Sequence, residues 1–229
     1  MSDGLRASVE NSWRELGDID RALDRGEITE HGWYAAVLAV VEPAYLGADN
    51  PQAQSGHSGN PARWRQARRL LVDALPGNCD VLDVGCANAH LMESLVDWAA
   101  EDGLVVEPYG VEISIPLADL ARRRQPRWSH RIWTANVLDW QPPRQFDVVR
   151  TGLDYVPPPR RADLVAHLLE HVVATGGRLV VGVFNEESGR DILEREVRSW
   201  GYQIAGRASR AHRHPALSYK AFWIDAARR

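Results

Sequence analysis

The segment Val81-Leu82-Asp83-Val84-Gly85-Cys86-Ala87-Asn88-Ala89-His90 sets an acid and a run of small residues directly behind an apolar, strand-like stretch. In an open α/β sheet, ligands bind at the carboxyl ends of the strands. A turn of small residues there lets backbone amides and the N-terminus of a following helix come close to a ligand. Taken alone, the segment also reads as an ordinary strand–helix turn. The pattern Gly-x-Gly-x-x-Gly is absent, which counts against a nicotinamide enzyme, whose turn must bring bare backbone against a pyrophosphate.

Three further features follow in a telling order: Glu112 at the end of a second apolar run, Ala135-Asn136-Val137-Leu138-Asp139-Trp140 after a third, and Phe146-Asp147-Val148-Val149 leading into Arg150-Thr151-Gly152. Together they resemble class I, Rossmann-like S-adenosylmethionine-dependent methyltransferases over roughly residues 62–226. The resemblance implies that Asp83, Gly85, Cys86, Ala87 and Asn88 line the cofactor. Ala87 and Ala89 stand where that family usually has glycine, a departure that a ligand without phosphate tolerates. The resemblance further implies that Glu112 accepts the ribose hydroxyls with Ile113 beside it, and that the Asn136 side chain and Val137 amide read the adenine. Thr151 and Gly152 close the site after the fourth strand. S-adenosyl-L-homocysteine would be the product.

A sulfonium methyl is already activated, so the protein has mainly to align the nucleophile, exclude water and, where needed, remove a proton. Candidates for handling the acceptor are His57, Tyr45, Glu42 and Tyr155. His57 lies in Ser55-Gly56-His57-Ser58-Gly59, which reads as a flexible loop; a histidine there titrates near neutrality and serves as a base, or is a plain exposed loop residue. Tyr45 reaches the methionine end of the cofactor or packs against Val41. Asp154 and Tyr155 face the acceptor, or Tyr155 packs under the Pro157–Pro159 turn. The Asn/Asp-Pro-Pro-aromatic motif of enzymes that methylate nucleobase or glutamine amino groups is missing here. His212 and His214 have neither acid nor cysteine beside them, so no metal site is expected.

The elements that must position these residues fall into two parts. Residues 1–60 read as a helical cap with a lid-like loop: helices over Leu5–Leu16 and Ile19–Arg25 stopped by Gly26, and a third running from a Thr29 cap toward Val41 and ended by Pro43. Gly47–Asn60 is rich in Gly, Asn, Gln, Ser and Pro and reads as loop. Residues 61–229 read as the cofactor-binding domain. Asn60-Pro61 caps a helix to Leu75, and strands at Cys79–Val84, Val105–Val111, Arg131–Ala135, Phe146–Arg150 and Arg178–Phe184 then alternate with helices at Ala89–Ala100, Pro116–Arg124, Arg160–Val173 and Asp191–Trp200. Tyr202–Ala208 and Tyr219–Asp225 form a closing antiparallel pair. The expected fold is α/β: a Rossmann-like, seven-stranded, mostly parallel sheet with helices on both faces and an antiparallel final strand.

The chain has 229 residues and a net charge of −4, with one lysine, Lys220, among its 27 basic residues. That balance offers no overall attraction to DNA, RNA or anionic membrane. The clusters Arg63-Arg65-Arg68-Arg69 and Arg122-Arg123-Arg124-Arg127 read as solvated helix faces. Two cysteines make no disulfide framework, Ala35–Val41 is too short to span a bilayer, and no signal-peptide pattern opens the chain; a cytoplasmic location is expected. The favoured function is methyl transfer to an N, O or C atom of a small molecule, with aromatic and cyclic-dipeptide natural products in view. The alternatives are methylation of RNA or protein through the arginine clusters, or a non-catalytic cofactor-binding regulator. The oligomeric state is left open.

Overall fold

The computed structural model describes residues 3–227, with side chains for residues 14–184 and 188–227. Two helices come first, α1 (Asp3–Asp24) and α2 (Glu30–Leu46). The two N-terminal helices expected from the sequence are one helix, which Gly26 stops with φ +69°. Thr29 caps α2 by accepting the Gly32 N–H at 3.1 Å. Pro43 does not end α2: the Gly47 N–H bonds the Pro43 carbonyl at 3.0 Å and the helix continues to Leu46. Trp33 joins the two helices by donating to Asp20 at 2.8 Å.

Beyond the loop, α3 (Pro61–Arg68) is capped by Asn60 and tightens into a 3₁₀ stretch over Arg69–Ala74. The alternation then runs β1 (Cys79–Val84), α4 (His90–Glu101), β2 (Val106–Glu112), α5 (Ile115–Arg124), β3 (Ile132–Thr134), β4 (Phe146–Thr151), α6 (Arg161–His167), β5 (Val173–Glu187), α7 (Ile192–Ser199), β6 (Gly206–Ala211) and β7 (Leu217–Asp225). The α6 helix is shorter than expected and closes in a wide turn over Leu168–Val172, so β5 starts earlier.

The seven strands form one sheet in the order β3-β2-β1-β4-β5-β7-β6. Strands β1 to β5 run parallel, and β7 runs antiparallel to both β5 and β6. Strands β1, β4, β5 and β7 divide their apolar side chains between two cores. Leu82, Val149, Leu179 and Phe222 pack with Leu164 and Leu168 on one face. Val81, Val148, Val180 and Tyr219 pack with Trp64, Leu71, Leu91 and Leu95 on the other. Burying both faces is what makes these strands nearly continuous apolar runs. The strand order reverses between β1 and β4, and a crevice opens at such a reversal at the carboxyl ends of the strands. Among the described residues, no helix is long and apolar enough to cross a membrane.

Candidate functional site

Strand β1 ends in the small-residue turn. The Gly85 and Cys86 N–H groups both donate to the Val111 carbonyl, at 2.8 and 3.2 Å, which ties the turn to β2. Gly85 (φ +69°), Ala87 (φ +46°) and Ala89 (φ +62°) all take left-handed backbone. At positions 87 and 89 this backbone is carried by alanine. The methyl groups meet a conformational penalty of roughly 1–2 kcal/mol per residue, beyond any question of ligand fit.

Glu112, buried at the end of β2, bridges this turn and the start of α5. Its Oε2 accepts the Ala87 N–H at 2.8 Å and its Oε1 accepts the Ser114 N–H at 2.9 Å. Burial raises its pKa, and the backbone donors of Ser114, Ala87 and Ile113 oppose the shift. A carboxylate offers about four lone-pair sites, so this clamped group retains acceptors for a diol.

Helix α2 lies along the crevice. Tyr34, Glu42 and Tyr45 share one helical face, and each meets a different part of the site. Tyr34 lies against Asn136. Glu42 accepts the Ser114 hydroxyl at 2.6 Å. The Tyr45 hydroxyl sits on Gly56, where a Cβ would collide with it; burial and the neighbouring Tyr155 raise its pKa. Eleven residues of helix rise about 16 Å, so one face of α2 reaches from the Asn136 loop to the end of β4.

The 47–60 loop is docked, and Asn88 is its anchor. The fully buried Asn88 amide donates to Pro51 O at 3.0 Å and Gln54 Oε1 at 3.3 Å. Its Oδ1 accepts the Ser55 hydroxyl at 2.5 Å and the His90 N–H at 3.0 Å. Both polar atoms of the Asn88 side chain are thus occupied by the loop and the start of α4.

At the strand-order reversal, Asp83 of β1 stands in register with Arg150 of β4. Arg150 Nη1 donates to Asp83 Oδ1 at 3.0 Å, and both residues are buried. Burial pushes the Asp83 carboxyl up to about 6 against the pull of Arg150. Burial likewise opposes the Arg150 charge, yet Tyr155 and Asp83 outweigh it, so the guanidinium stays cationic and the pair is ionised at neutral pH. Asp83 Oδ2 and Arg150 Nε have no hydrogen-bond partner. The Tyr155 ring covers this pair. It lies 5.5 Å from the Arg150 guanidinium and so close to Gly85 that a Cβ there would stand 2.8 Å from the ring. Burial pushes the Tyr155 phenol up to about 12.

His57 departs most from expectation. It is 6% exposed and packs edge-on against Trp64 at 5.5 Å between centroids. Burial, with Arg68, Arg63 and His90 around it, pushes its pKa down to about 3. It is neither a mobile loop residue nor a base poised near neutrality. Arg68, read as part of a solvated face, is also drawn in, with its guanidinium 3.4 Å from the Phe184 ring centroid and 5.2 Å from that of Trp64. Arg122 and Arg124 also reach inward, donating to the Ile132 carbonyl at 2.9 Å and the Asn88 carbonyl at 2.7 Å. Arg65 pairs with Glu101, and Arg69 with Asp102 at 2.6 Å.

The remaining candidates divide by which atoms face the crevice. The Cys86 side chain packs inward with Met92 and Trp128, so only its backbone belongs to the turn. The Val137 side chain is buried in the core. Asn136 Oδ1 accepts the Leu138 N–H at 3.2 Å. Ile113 is partly exposed beside Glu112. Thr151 is buried and donates to Gly152 O at 3.0 Å. At Gly152 a Cβ would run into Asp154. His212 and His214 cap their own turn, His212 Nδ1 accepting the His214 N–H at 2.9 Å. Among the described residues, no group of three or more His, Cys, Asp or Glu is placed to hold a metal. The sequence reading missed Arg150, Arg68 and Tyr34. A charged residue in the apolar run of β4 was the available signal for the first, and the helical period from Tyr45 back to Tyr34 for the last.

No family model and no curated protein matches this sequence. Solved structures do match it in fold. The 1,6-didemethyltoxoflavin-N1-methyltransferase of Burkholderia thailandensis, solved with 1,6-didemethyltoxoflavin and S-adenosylhomocysteine, has a TM-score of 0.64 at 17% identity, over 87% of this chain and 91% of that one. The N-methyltransferase NodS of Bradyrhizobium japonicum WM9, solved with S-adenosyl-L-homocysteine, has a TM-score of 0.59 at 18% identity, over 82% of this chain and 97% of that one. The [4+2]-cyclase SpnF has a TM-score of 0.56 at 14% identity, over 84% and 93%. At these identities the likeness establishes the fold: the chain has the Rossmann-like sheet of class I methyltransferases.

Proposed function

We propose that the chain is an S-adenosylmethionine-dependent methyltransferase acting on an N, O or C atom of a small-molecule acceptor, with residues 1–60 capping a cofactor-binding domain over residues 61–229. The observation that carries this reading is Glu112, clamped between the Ala87 and Ser114 amides at the rim of the Gly85 turn. Such a group fits a ribose diol. The unpartnered Asp83 Oδ2 fits an ammonium, and Asn136 with the Val137 amide fits an adenine edge.

When bound, the cofactor supplies a methyl group already activated on a sulfonium. The chain's own task is then alignment and exclusion of water. Helix α2 and the docked 47–60 loop cover the crevice, while Tyr45, Tyr155 and Glu42 line its inner side. His57, with a pKa near 3, makes a poor general base. This favours acceptors such as a neutral amine or an electron-rich carbon, which need alignment more than deprotonation.

The arginine clusters give little support to an RNA or protein acceptor. Arg65, Arg69, Arg122 and Arg124 are committed to Glu101, Asp102, Asp119 and Glu93. A cyclase shares the fold, so methyl transfer has to be tested directly. Incubation with methyl-labelled cofactor and pools of small molecules and RNA, read by mass spectrometry, should put label into a small molecule. Label in RNA supports the macromolecular reading. Cofactor binding without transfer supports the regulator.

A further inference from the structure

The end of α6 brings two histidines together in a place the proposed function leaves unused. His167 ends the helix, and His171 lies in the wide turn that follows, closed by the Val173 N–H on the Leu168 carbonyl. Wide turns of this kind recur at functional sites. Helix α6 leads from the end of β4 back to the start of β5, so the turn lies at the edge of the sheet away from the crevice. His167 is half-buried and His171 exposed. Their ring centres stand 5.1 Å apart, with the planes tilted by 51°. Two imidazoles on one tetrahedral ion, with bonds of about 2.0–2.1 Å, bring their ring centres to roughly 5 Å.

The nitrogens of both rings are already sorted. His167 Nε2 lies 3.2 Å from the Trp140 carbonyl. A carbonyl only accepts, so Nε2 carries the proton and Nδ1 keeps its lone pair. Glu170 Oε2 stands 3.7 Å from His171 Nε2 and draws that proton to the same side. A metal-ligating histidine donates its other N–H, as a rule, to a carbonyl or a carboxylate. Burial holds the His167 pKa below its ordinary value, which keeps this ring neutral. Asp139 and Glu170 add negative potential, and the carbonyl end of a helix favours a cation. We propose that His167 and His171 form a chelating site for a first-row dication of the Ni²⁺, Cu²⁺ or Zn²⁺ class, bound through the two Nδ1 atoms. Imidazole suits these ions, whereas Mg²⁺ and Ca²⁺ prefer oxygen. Among the described residues no third His, Cys, Asp or Glu joins them in a group that could hold a metal, so the ion keeps open positions. Its role is that of a staple: it ties the end of α6 to the turn ahead of β5 and, through the His167–Trp140 bond, to the segment between β3 and β4. The site stands independently of the cofactor reading.

The test is calorimetric titration of the untagged chain with Cu²⁺, Ni²⁺ and Zn²⁺, set beside His167→Gln, His171→Gln and His212→Gln. One equivalent should bind the wild type, Cu²⁺ most tightly. Ni²⁺ at about a hundredfold above its Kd should raise the melting temperature by roughly 5–10 °C. His167→Gln and His171→Gln should each weaken binding at least about tenfold, since losing even a ligand's hydrogen-bond partner costs about 10- to 100-fold. Glutamine at position 167 can still donate to the Trp140 carbonyl, and His171 is exposed, so both variants should fold with metal-free melting temperatures near that of the wild type. His212→Gln should bind like the wild type. No binding by the wild type, or undiminished binding by both chelate variants, overturns the site. Loss in His212→Gln instead would move the ion to the 212–214 turn and overturns it too.

Discussion

Glu42 on helix α2 accepts the Ser114 hydroxyl at 2.6 Å, and the Ser114 N–H donates to Glu112 at 2.9 Å. Helix α2 is thereby coupled through a single serine to the carboxylate proposed to receive the ribose. Replacing Glu42 by alanine should weaken S-adenosylhomocysteine binding by roughly 2- to 10-fold, the loss of one hydrogen bond of about 0.5–1.5 kcal/mol. Ser114→Ala should do the same, and the double variant should add little, since residues in one network are not additive. Fully additive losses would mean that the two act separately.

Gly85 is held at φ +69° with the Tyr155 ring on its Cα. Gly85→Ala should cost about 1–2 kcal/mol for the left-handed backbone alone, and more because the new Cβ strikes the ring. Adding Tyr155→Ala should restore the steric part and leave the backbone part. Melting curves of the four proteins read this directly, and strict additivity would contradict the contact.

Much of this site is visible in the sequence because its parts are local. An acid, a glycine and small residues behind a strand announce the Gly85 turn, and Glu112 follows from where β2 must end. The Asp83–Arg150 pair is not local. It exists because β4 skips past β1 in sequence yet lies beside it in register, and no spacing reveals that. His57 misleads for a related reason. Its serine and glycine neighbours read as a mobile loop, but Asn88, far along the chain, fastens that loop and buries the imidazole against Trp64. Arg68 likewise reads as surface because Phe184, the ring closest to its guanidinium, comes from β5, although Trp64 lies one turn back on the same helix. Pro43 was a fair signal for a helix end, overridden when the last turn of α2 closed around it.

Asn88 should therefore act as a latch. Asn88→Ala leaves buried polar groups of the loop unpaired, at about 1–3 kcal/mol, or roughly 2–4 °C of melting temperature per kcal/mol at this size. Hydrogen exchange should rise selectively over residues 47–60. Unchanged exchange there would show that the loop is held by something else.

His57 gives the fold a pH dependence with a definite sign. Burial in the fold pushes its pKa down from the ordinary 6.5 to about 3. Between those values the unfolded chain binds a proton that the folded chain does not, so stability falls as the pH is lowered from 6.5. Arg68, Arg63 and His90 face the imidazole and strengthen the effect. His57→Phe keeps a ring against Trp64 and should flatten the dependence of melting temperature on pH between about 6.5 and 4. An equally steep curve would place the titration elsewhere.

The most direct measurement is a calorimetric titration of S-adenosylhomocysteine into the purified chain and into its Glu112→Ala variant. Saturable one-site binding is expected, weakened at least about tenfold by losing charge-assisted hydrogen bonds to the ribose. Absence of binding to the unaltered chain, or an unchanged affinity in the variant, would contradict the site built around Glu112.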